Sequence, residues 1–197
     1  MNVSRETQER LDIHLKLLKK WSPKINLVSA ASLSDAAKRH FEDSVQIAEL
    51  NRKKALHWAD LGSGGGFPGA AIAILKYETC PETKVTLVES DQRKAAFLKT
   101  VSREVGVPFT VLAQRIEDIP PLNADILSAR ALAPLSDLLS YAELHLKSEG
   151  LAIFPKGITW KEEVAEAEKK WRFSLQSHKS TTNPDAAILE IGDLSRA

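Results

Sequence analysis

The segment from His57 to Gly69 contains the residues best suited to chemistry, an acid followed by a dense run of glycines. It reads HWADLGSGGGFPG, so Asp60 precedes five glycines among the eight residues 62–69. Glycines at this density let a backbone adopt positive φ and approach a ligand closely, which a surface loop without a ligand does not require. A helical pattern begins directly after Pro68. The segment predicts a strand that ends in a cofactor-binding turn, with a merely flexible loop as the alternative.

The type of cofactor depends on charge. Residues 64–69 match the G-x-G-x-x-G pattern of dinucleotide-binding turns, in which backbone N–H groups receive a pyrophosphate. Asp60 would place a carboxylate beside that anion, and Pro68 at the first helical position would remove a donor. S-adenosylmethionine carries a sulfonium and an ammonium group and no phosphate. The segment therefore favours a methyl donor, and NAD(P) stays open as the alternative.

Composition sets modest limits on the class of protein. The chain has 197 residues, 43% hydrophobic and 27% charged, which is typical of one globular domain. Its net charge of +1 means that any contact with nucleic acid must come from a local basic patch. With no secretion signal, no apolar run of membrane-spanning length and Cys80 as the single cysteine, we expect a cytoplasmic protein without disulfides or a cysteine-based zinc site.

The hydrophobic pattern changes near residue 55 and divides the chain in two. Residues 1–54 predict a small helical extension, with amphipathic helices over Ser4–Trp21 and from about Ser34, a candidate N-cap, to Leu50. Residues 55–197 alternate between strands and helices, which predicts a doubly wound, mostly parallel α/β sheet. Strands are predicted before the glycine turn and over 84–89, 109–113, 124–129 and 151–154, and helices over 92–105, 135–146 and 160–170.

The C-terminal segment predicts two further strands, over 171–177 and 186–191. A short turn at 183–185 joins them. Strands with so short a link pair antiparallel. The sheet is therefore expected to end in an antiparallel hairpin.

Residues that follow the strands are the next candidates, because ligands of such sheets lie across the carboxyl ends of the strands. Glu89 comes about twenty residues after the glycine turn, where an acid can bind the ribose hydroxyls of either NAD or S-adenosylmethionine. After the third strand, Ile116 is placed to cover an adenine and Glu117 to accept from its amine, with an ordinary solvated loop as the alternative. Arg130 and Lys156 follow the fourth and fifth strands. Two cations facing one crevice suggest an anionic or carbonyl-rich substrate, although either alone could be a surface charge.

The residue types that the strand ends lack narrow the kind of atom that could accept the methyl group. Methylation of a pyrimidine carbon needs a cysteine nucleophile, and Cys80 precedes the second strand. Methylation of an exocyclic amine uses an Asp/Asn-Pro-Pro-aromatic turn after the fourth strand, whereas 120–121, the only Pro-Pro pair, precedes that strand. The N7 atom of guanine carries a free lone pair, so its methylation needs no general base. Catalysis then rests on positioning, to which Arg130 can contribute by a hydrogen bond to a guanine edge.

Seven segments spread over nearly the whole chain carry a family resemblance. They are 20–29 (KWSPKINLVS), 39–44 (RHFEDS), 60–69 (DLGSGGGFPG), 90–98 (SDQRKAAFL), 115–118 (RIED), 128–131 (SARA) and 156–157 (KG). In this order and spacing the segments closely resemble those of the RsmG (GidB) methyltransferases.

The resemblance implies a class I, Rossmann-like methyltransferase that transfers a methyl group from S-adenosylmethionine to N7 of a guanine in the 530 loop of bacterial 16S rRNA. The product would be S-adenosylhomocysteine, and no metal would take part. The substrate would be rRNA in a small ribosomal subunit or an assembly intermediate, and we expect a monomer. Because the chain is nearly neutral, we expect weak and salt-sensitive binding to naked RNA.

The resemblance also implies roles for individual residues. Donor contacts fall on Gly62, Phe67, Ile116, Glu117 and Arg130, with Glu89 as the ribose acid. The chemistry of the glycine turn adds Asp60 and Gly64 as cofactor-binding candidates. RNA contacts fall on Arg93, Lys94, Arg115 and Lys156, with Arg39 and His40 as further candidates. Asp43 lies within one helical turn of the last two and offers a simpler explanation, an intrahelical pair.

Two departures from the family pattern bear on RNA binding. Arg93 stands where the family commonly has lysine, which keeps the charge and alters the hydrogen-bond geometry. Residues 186–191 lack the basic residues often found there, so no RNA contact is expected from the hairpin. The alternatives are a methyltransferase acting on tRNA or a small molecule, and a non-catalytic module that binds S-adenosylmethionine or RNA.

Overall fold

A computed structural model describes residues 3–27, 36–50 and 55–197 of the chain, with side chains of the second range described from Arg39 onward. Within these ranges, no helix has the length and apolar character needed to cross a membrane. The elements comprise two N-terminal helices and a seven-stranded sheet with helices on both faces.

Two helices precede the sheet. They are α1 (Arg5–Ile25) and α2 (Ala36–Leu50). Ser4 starts α1 because its side chain accepts a hydrogen bond from the N–H of Thr7. The helix continues past the predicted end at Trp21, since Asn26 supplies the left-handed conformation that terminates it. The predicted start of α2 at Ser34 lies outside the described residues.

The sheet confirms the predicted doubly wound arrangement. Its strands are β1 (His57–Leu61), β2 (Lys84–Val88), β3 (Thr110–Leu112), β4 (Ala124–Ala129), β5 (Leu146–Lys156), β6 (Trp171–Lys179) and β7 (Ala187–Arg196). Their order is β3-β2-β1-β4-β5-β7-β6, with β1 to β5 parallel and β7 antiparallel to both β5 and β6. The order reverses between β1 and β4, which is the position where such sheets bind ligands.

The helices that follow the strands match the predicted bounds where capping residues mark their ends. They are α3 (Gly69–Thr79), α4 (Gln92–Val105), α5 (Leu135–His145), α6 (Trp160–Ala167) and a short 3-10 helix (Ile116–Asp118). The ends of α4 match the prediction, because the side chain of Asp91 caps the first N–H groups and Gly106, at φ 67°, ends the helix. Strand β5 begins earlier than predicted, and its polar residues 147–149 are exposed.

Hydrophobic residues form two clusters, one on each face of the sheet. The cluster under α1 to α4 includes Leu18, Trp58, Ile72 and Phe97. The cluster under α5 and α6 includes Phe154 and Trp171, which are among the largest fully buried side chains. Leu11, Leu18, Phe41 and Ile47 of the N-terminal helices belong to the first cluster. The N-terminal helices therefore share a core with the sheet.

We expect that Leu18→Ala lowers the free energy of unfolding of the whole chain by about 2–5 kcal/mol, because Leu18 is fully buried in the cluster that α1 shares with α3, α4 and the sheet. Denaturant unfolding followed by two probes, tryptophan fluorescence and circular dichroism, measures this decrease. Lys19→Ala, on the exposed face of the same helix, is the matched control. Two separate transitions would contradict a shared core and would mean that residues 1–54 unfold on their own.

Candidate active site

The glycine turn follows β1 with the predicted positive φ values. They are 66° at Gly62, 51° at Gly64 and 86° at Gly66. Gly62 donates its N–H to the carbonyl of Val88 at 2.8 Å, which ties the turn to the end of β2. The φ of Gly62 is one that residues with a side chain rarely adopt, so glycine is required there, and a Cβ atom would also displace the end of the Leu132 side chain.

Glu89 is held at the end of β2 by backbone donors on both carboxylate oxygens. Oε2 accepts from the N–H of Gly64 at 2.9 Å, and Oε1 accepts from the N–H of Asp91 at 2.8 Å. Each oxygen keeps a further lone pair. The carboxylate is thus oriented beside the turn and is able to accept from hydroxyl groups.

Asp60 lies beneath the turn, fully buried in β1. Its Oδ1 accepts from the hydroxyl of Ser128 at 2.7 Å, and that hydroxyl accepts from the indole N–H of Trp58 at 2.9 Å. Burial raises the pKa of Asp60 to about 6, and the hydrogen bond from Ser128 opposes this rise. The sequence predicts this acid beside a cationic ligand, and the structure shows it fully buried at the end of β1. Asp60 as a donor-binding residue stays a prediction.

Phe67 is the side chain of the turn that meets the N-terminal helices. The ring of His14 from α1 stacks on it with centroids 5.0 Å apart, and Phe41 and His40 from α2 lie at 4.9 and 5.2 Å. The Nε2–H of His14 donates to the carbonyl of Gly65 at 2.9 Å. Burial lowers the pKa of His14 to about 4, so the ring is neutral at pH 7. Helix α1 thereby holds the turn in place.

Sequence reasoning missed His14. It lies between Leu11 and Leu18 on the buried stripe of an amphipathic helix, where a histidine is usually a core residue. The available signal was a polar residue on that stripe, which requires a hydrogen-bond partner somewhere in the fold.

Arg130, directly after β4, is enclosed by groups from the N-terminal helices. Its Nη1 donates to Nδ1 of His40 at 2.5 Å and lies 3.7 Å from Oδ2 of Asp43, and its guanidinium lies 5.7 Å from the centroid of Phe67. Burial and the charges of Arg130 and Arg39 lower the pKa of His40 to about 4. His40 is therefore a neutral acceptor that holds Arg130, and in this position it is not a free cation for a phosphate.

The two predicted cations share one crevice. A cavity of about 280 Å³ at the ends of β4 and β5 is lined by Arg130, Lys156, the exposed Arg39 and residues of the turn between β6 and β7. The Nζ atom of Lys156 pairs with Oε2 of Glu163 at 2.5 Å and donates to the carbonyl of Ala133 at 3.1 Å. Its side chain is only 10% exposed. Lys156 is thus part of the wall of the cavity.

The 3-10 helix places Ile116 and Glu117 after β3. The carbonyl of Ile116 accepts from the Nε2–H of His145 at 3.0 Å, and Glu117 accepts from the hydroxyl of Tyr141 at 2.8 Å. A hydrogen bond from its own backbone N–H and the one from Tyr141 lower the pKa of Glu117. Ile116 is 8% exposed, whereas Glu117 is exposed as an ionised acceptor. Tyr141 and His145, one turn apart on α5, were not predicted.

The remaining basic candidates lie at the surface beside these elements. Arg93 and Lys94 form the first turn of α4, just after Glu89, and Arg93 makes an exposed pair with Asp91 at 3.3 Å. Arg115 is exposed and directly precedes the 3-10 helix. These side chains are accessible to a large ligand.

We expect that Asp60→Asn makes the protein more stable at pH 7.5 than the wild type. The pKa of Asp60 is about 6 in the folded state against 3.8 ordinarily, so the folded chain binds the extra proton between these values. Ionisation of Asp60 therefore lowers the free energy of unfolding by about 3 kcal/mol as the pH rises from 4 to 6, against the increase that the lowered pKa values of His14 and His40 produce over the same range. Urea titrations at pH 4.5 and 7.5 isolate the Asp60 contribution as the difference between D60N and the wild type, which should grow by about 2 kcal/mol in favour of the variant. Asp185→Asn, at an exposed position, is the control, and a D60N difference that does not change with pH would contradict the burial argument.

Comparison with solved structures identifies the fold. The chain superimposes on an S-adenosylmethionine-dependent methyltransferase from Aquifex aeolicus with a TM-score of 0.62, at 12% identity over 82% of this chain and 94% of that one. It superimposes on the 16S rRNA methylase RmtB with a TM-score of 0.58, at 15% identity over 93% and 74%. These likenesses, with the strand order, show the predicted class I, Rossmann-like methyltransferase fold.

Comparison of sequences identifies the family. A family model described as GidB, rRNA small subunit methyltransferase G, matches residues 7–189. Proteins named ribosomal RNA small subunit methyltransferase G are 53% identical in Ruegeria pomeroyi, over 100% of this chain and 96% of the relative, and 48% identical in Paracoccus denitrificans, over 100% of both. The chain belongs to the rRNA small subunit methyltransferase G family, as the resemblance of its seven segments predicted.

Proposed function

We propose that this protein transfers a methyl group from S-adenosylmethionine to N7 of a guanine in the 530 loop of 16S rRNA, within a small ribosomal subunit or an assembly intermediate. The observation that carries the proposal is the position of Arg130. It lies between Phe67 of the glycine turn and a cavity whose wall includes several charged side chains, in a chain of this family. One arginine therefore borders both a donor site and an acceptor site.

The residues around the turn fit S-adenosylmethionine. Gly62 and Gly64 are partly exposed, and the carboxylate of Glu89 has lone pairs left for ribose hydroxyls. Ile116 offers an apolar contact for an adenine and Glu117 an acceptor for its amine. Asp60 contributes a negative field beneath the turn when it is ionised. When bound, S-adenosylmethionine supplies an electrophilic methyl group on a cationic sulfur.

Methylation of guanine N7 requires that the base be held in line with the methyl group. The lone pair of guanine N7 attacks the methyl carbon in line with the departing sulfur, and no proton leaves the base. Arg130 donates hydrogen bonds that orient the base, and His40 and Phe67 hold the guanidinium in place. Cys80, the candidate nucleophile for carbon methylation, lies at the end of α3, where the chain enters β2 from its amino end.

RNA binding requires positive charge, and the chain concentrates it on two packed helices. Residues 13–25 of α1 and residues 92–103 of α4 hold eight of the 27 Lys and Arg residues. Two of the eight, Arg93 and Arg103, pair with acids next to these ranges, Asp91 and Glu104. The helices pack against each other, with the rings of Trp21 and Phe97 5.7 Å apart. We call these basic residues the α1–α4 basic surface. It supports rRNA binding because phosphate contacts dominate affinity for nucleic acid.

The roles of the other basic residues follow from their surroundings. Arg93 and Lys94, at the end of the α1–α4 basic surface next to Glu89, and the exposed Arg115 bind phosphates. Arg39 is exposed at the cavity and is available to the RNA near the target base. Lys156, paired with Glu163, shapes the cavity. We propose that the enzyme is cytoplasmic, since its substrate forms during ribosome assembly. We also propose that it acts as a monomer and without a metal ion.

The test uses small ribosomal subunits from cells that lack this protein, incubated with the purified protein and labelled S-adenosylmethionine. We expect label in 16S rRNA, and mass spectrometry of the digested RNA should locate N7-methylguanosine in the 530 loop. Subunits from wild-type cells, already methylated, are the control. Label in tRNA or a small molecule, or an unchanged N7-methylguanosine in deficient cells, would support another acceptor. Donor binding without transfer to any particle would support a non-catalytic module.

We expect that the triple variant Lys16→Gln, Lys20→Gln, Lys24→Gln raises KM for small subunits without changing kcat or donor affinity. These exposed lysines lie four residues apart on one face of α1, and within the described part of the chain none forms an ion pair. The slope of log KM against log salt should become shallower by about 0.7–0.9 for each phosphate that the variant no longer neutralises. The matched control replaces three exposed lysines near α6, Lys161, Lys169 and Lys170. An equal effect in both variants would contradict a localised surface.

A further inference from the structure

We infer that Asp43 and Arg130 together read the Watson–Crick edge of the acceptor guanine, with Asp43 as the residue that determines base specificity. The inference rests on the proposed function and names the atoms by which that site recognises its base. Sequence reasoning treated Asp43 only as a partner for Arg39 or His40.

The two residues reach the same cavity from different parts of the fold. Asp43 comes from α2 and Arg130 from the end of β4, and both line the cavity of about 280 Å³. Their side chains are 21% and 20% exposed, so each faces the cavity while most of its surface is shielded from water. A base that enters this cavity would meet a charged donor and a charged acceptor in a setting where hydrogen bonds discriminate strongly.

Asp43 and Glu163 are the carboxylates among the described residues of the cavity wall. They differ in how many further hydrogen bonds their oxygens can accept. Oε2 of Glu163 is engaged by Lys156 and by the N–H of Leu135 at 2.8 Å. Oδ1 of Asp43 accepts from the hydroxyl of Thr182 at 2.5 Å. Oδ2 of Asp43 lies 3.7 Å from Arg130, which is too far for a hydrogen bond. Oδ2 therefore keeps its lone pairs for a ligand.

The adjacent donor and acceptor match guanine in order. An arginine only donates and an ionised aspartate only accepts. The Watson–Crick edge of guanine presents the O6 acceptor next to the N1–H and N2–H donors, so O6 faces Arg130, and N1–H and N2–H face Oδ2 of Asp43, which has two lone pairs to accept them. Adenine presents a donor and then an acceptor, the reverse order, which would leave both protein groups unpaired. The N7 atom lies on the other edge of guanine and stays free to receive the methyl group.

Neighbouring contacts fix the pair for this task. The neutral ring of His40 holds Arg130, and Thr182 in the turn between β6 and β7 holds Asp43. The N–H of Thr181 in the same turn donates to the side chain of Gln46 on α2 at 2.8 Å. The turn thus clamps the helix that carries Asp43. The turn acts in base recognition although its residues 180–186 include no lysine or arginine.

The test measures kcat/KM on small subunits reconstituted with guanosine, inosine or 1-methylguanosine at the target position. Inosine lacks the N2 amine, and 1-methylguanosine lacks N1–H. We expect the wild type to prefer guanosine over each analogue by about 5- to 150-fold. Asp43→Asn should reduce the preference over inosine to within about twofold. Asp185→Asn is the matched control, because it removes an exposed carboxylate from the turn between β6 and β7, and it should retain the wild-type preference.

Each other outcome has a defined meaning. If the wild type methylates 1-methylguanosine as well as guanosine, the inference is wrong, and this arm does not depend on any variant folding. If Asp43→Asn slows the reaction and keeps the wild-type preference, Asp43 only positions Arg130 and the inference is also wrong. If the wild type transfers no methyl group to guanosine, the proposed function itself fails. Donor affinity, measured for every variant, confirms that the turn remains intact.

Discussion

A buried backbone carbonyl needs a donor, and the carbonyl of Gly65 obtains one from His14. The same imidazole stacks on Phe67, and a Cβ atom at Gly66 would come within 3.0 Å of it. The glycine-rich turn is thus held by a helix about fifty residues earlier in the chain. Because Phe67 also contacts His40 and lies near Arg130, the packing of α1 on the turn connects the proposed donor site to the proposed acceptor site.

The charges in the crevice are controlled by burial. Burial lowers the pKa of both His14 and His40 to about 4, which keeps the two rings neutral and fit to serve as a donor and an acceptor. It raises the pKa of Asp60 to about 6, so ionising this acid costs stability near neutral pH. Such a cost is typical of sites where function requires a charge that folding alone would avoid. A cationic donor placed above Asp60 would offset that cost.

Two segments that are far apart in the chain meet at the proposed acceptor cavity. Helix α2 supplies Asp43 and the N-terminal part of the wall, and the turn between β6 and β7 supplies Thr182. The antiparallel pairing of β7 with β5 brings this turn to the carboxyl ends of the parallel strands. The α1–α4 basic surface is formed by other elements, α1 and α4. In the proposed function, a nearly neutral chain thereby presents a basic face to RNA and a pocket with charges of both signs to a single base.

The sequence by itself determined the features that depend on residues close together in the sequence. Positive φ in the glycine turn, the ends of α4 set by Asp91 and Gly106, and Glu89 one strand later all follow from local chemistry. Only the tertiary structure decided what each charged group faces: His14 binds the turn, His40 holds Arg130, Lys156 pairs with Glu163, and Asp60 lies below the site. These partners are far apart in the chain, and a residue's burial, which sets its pKa and its free hydrogen bonds, exists only once distant elements have packed together.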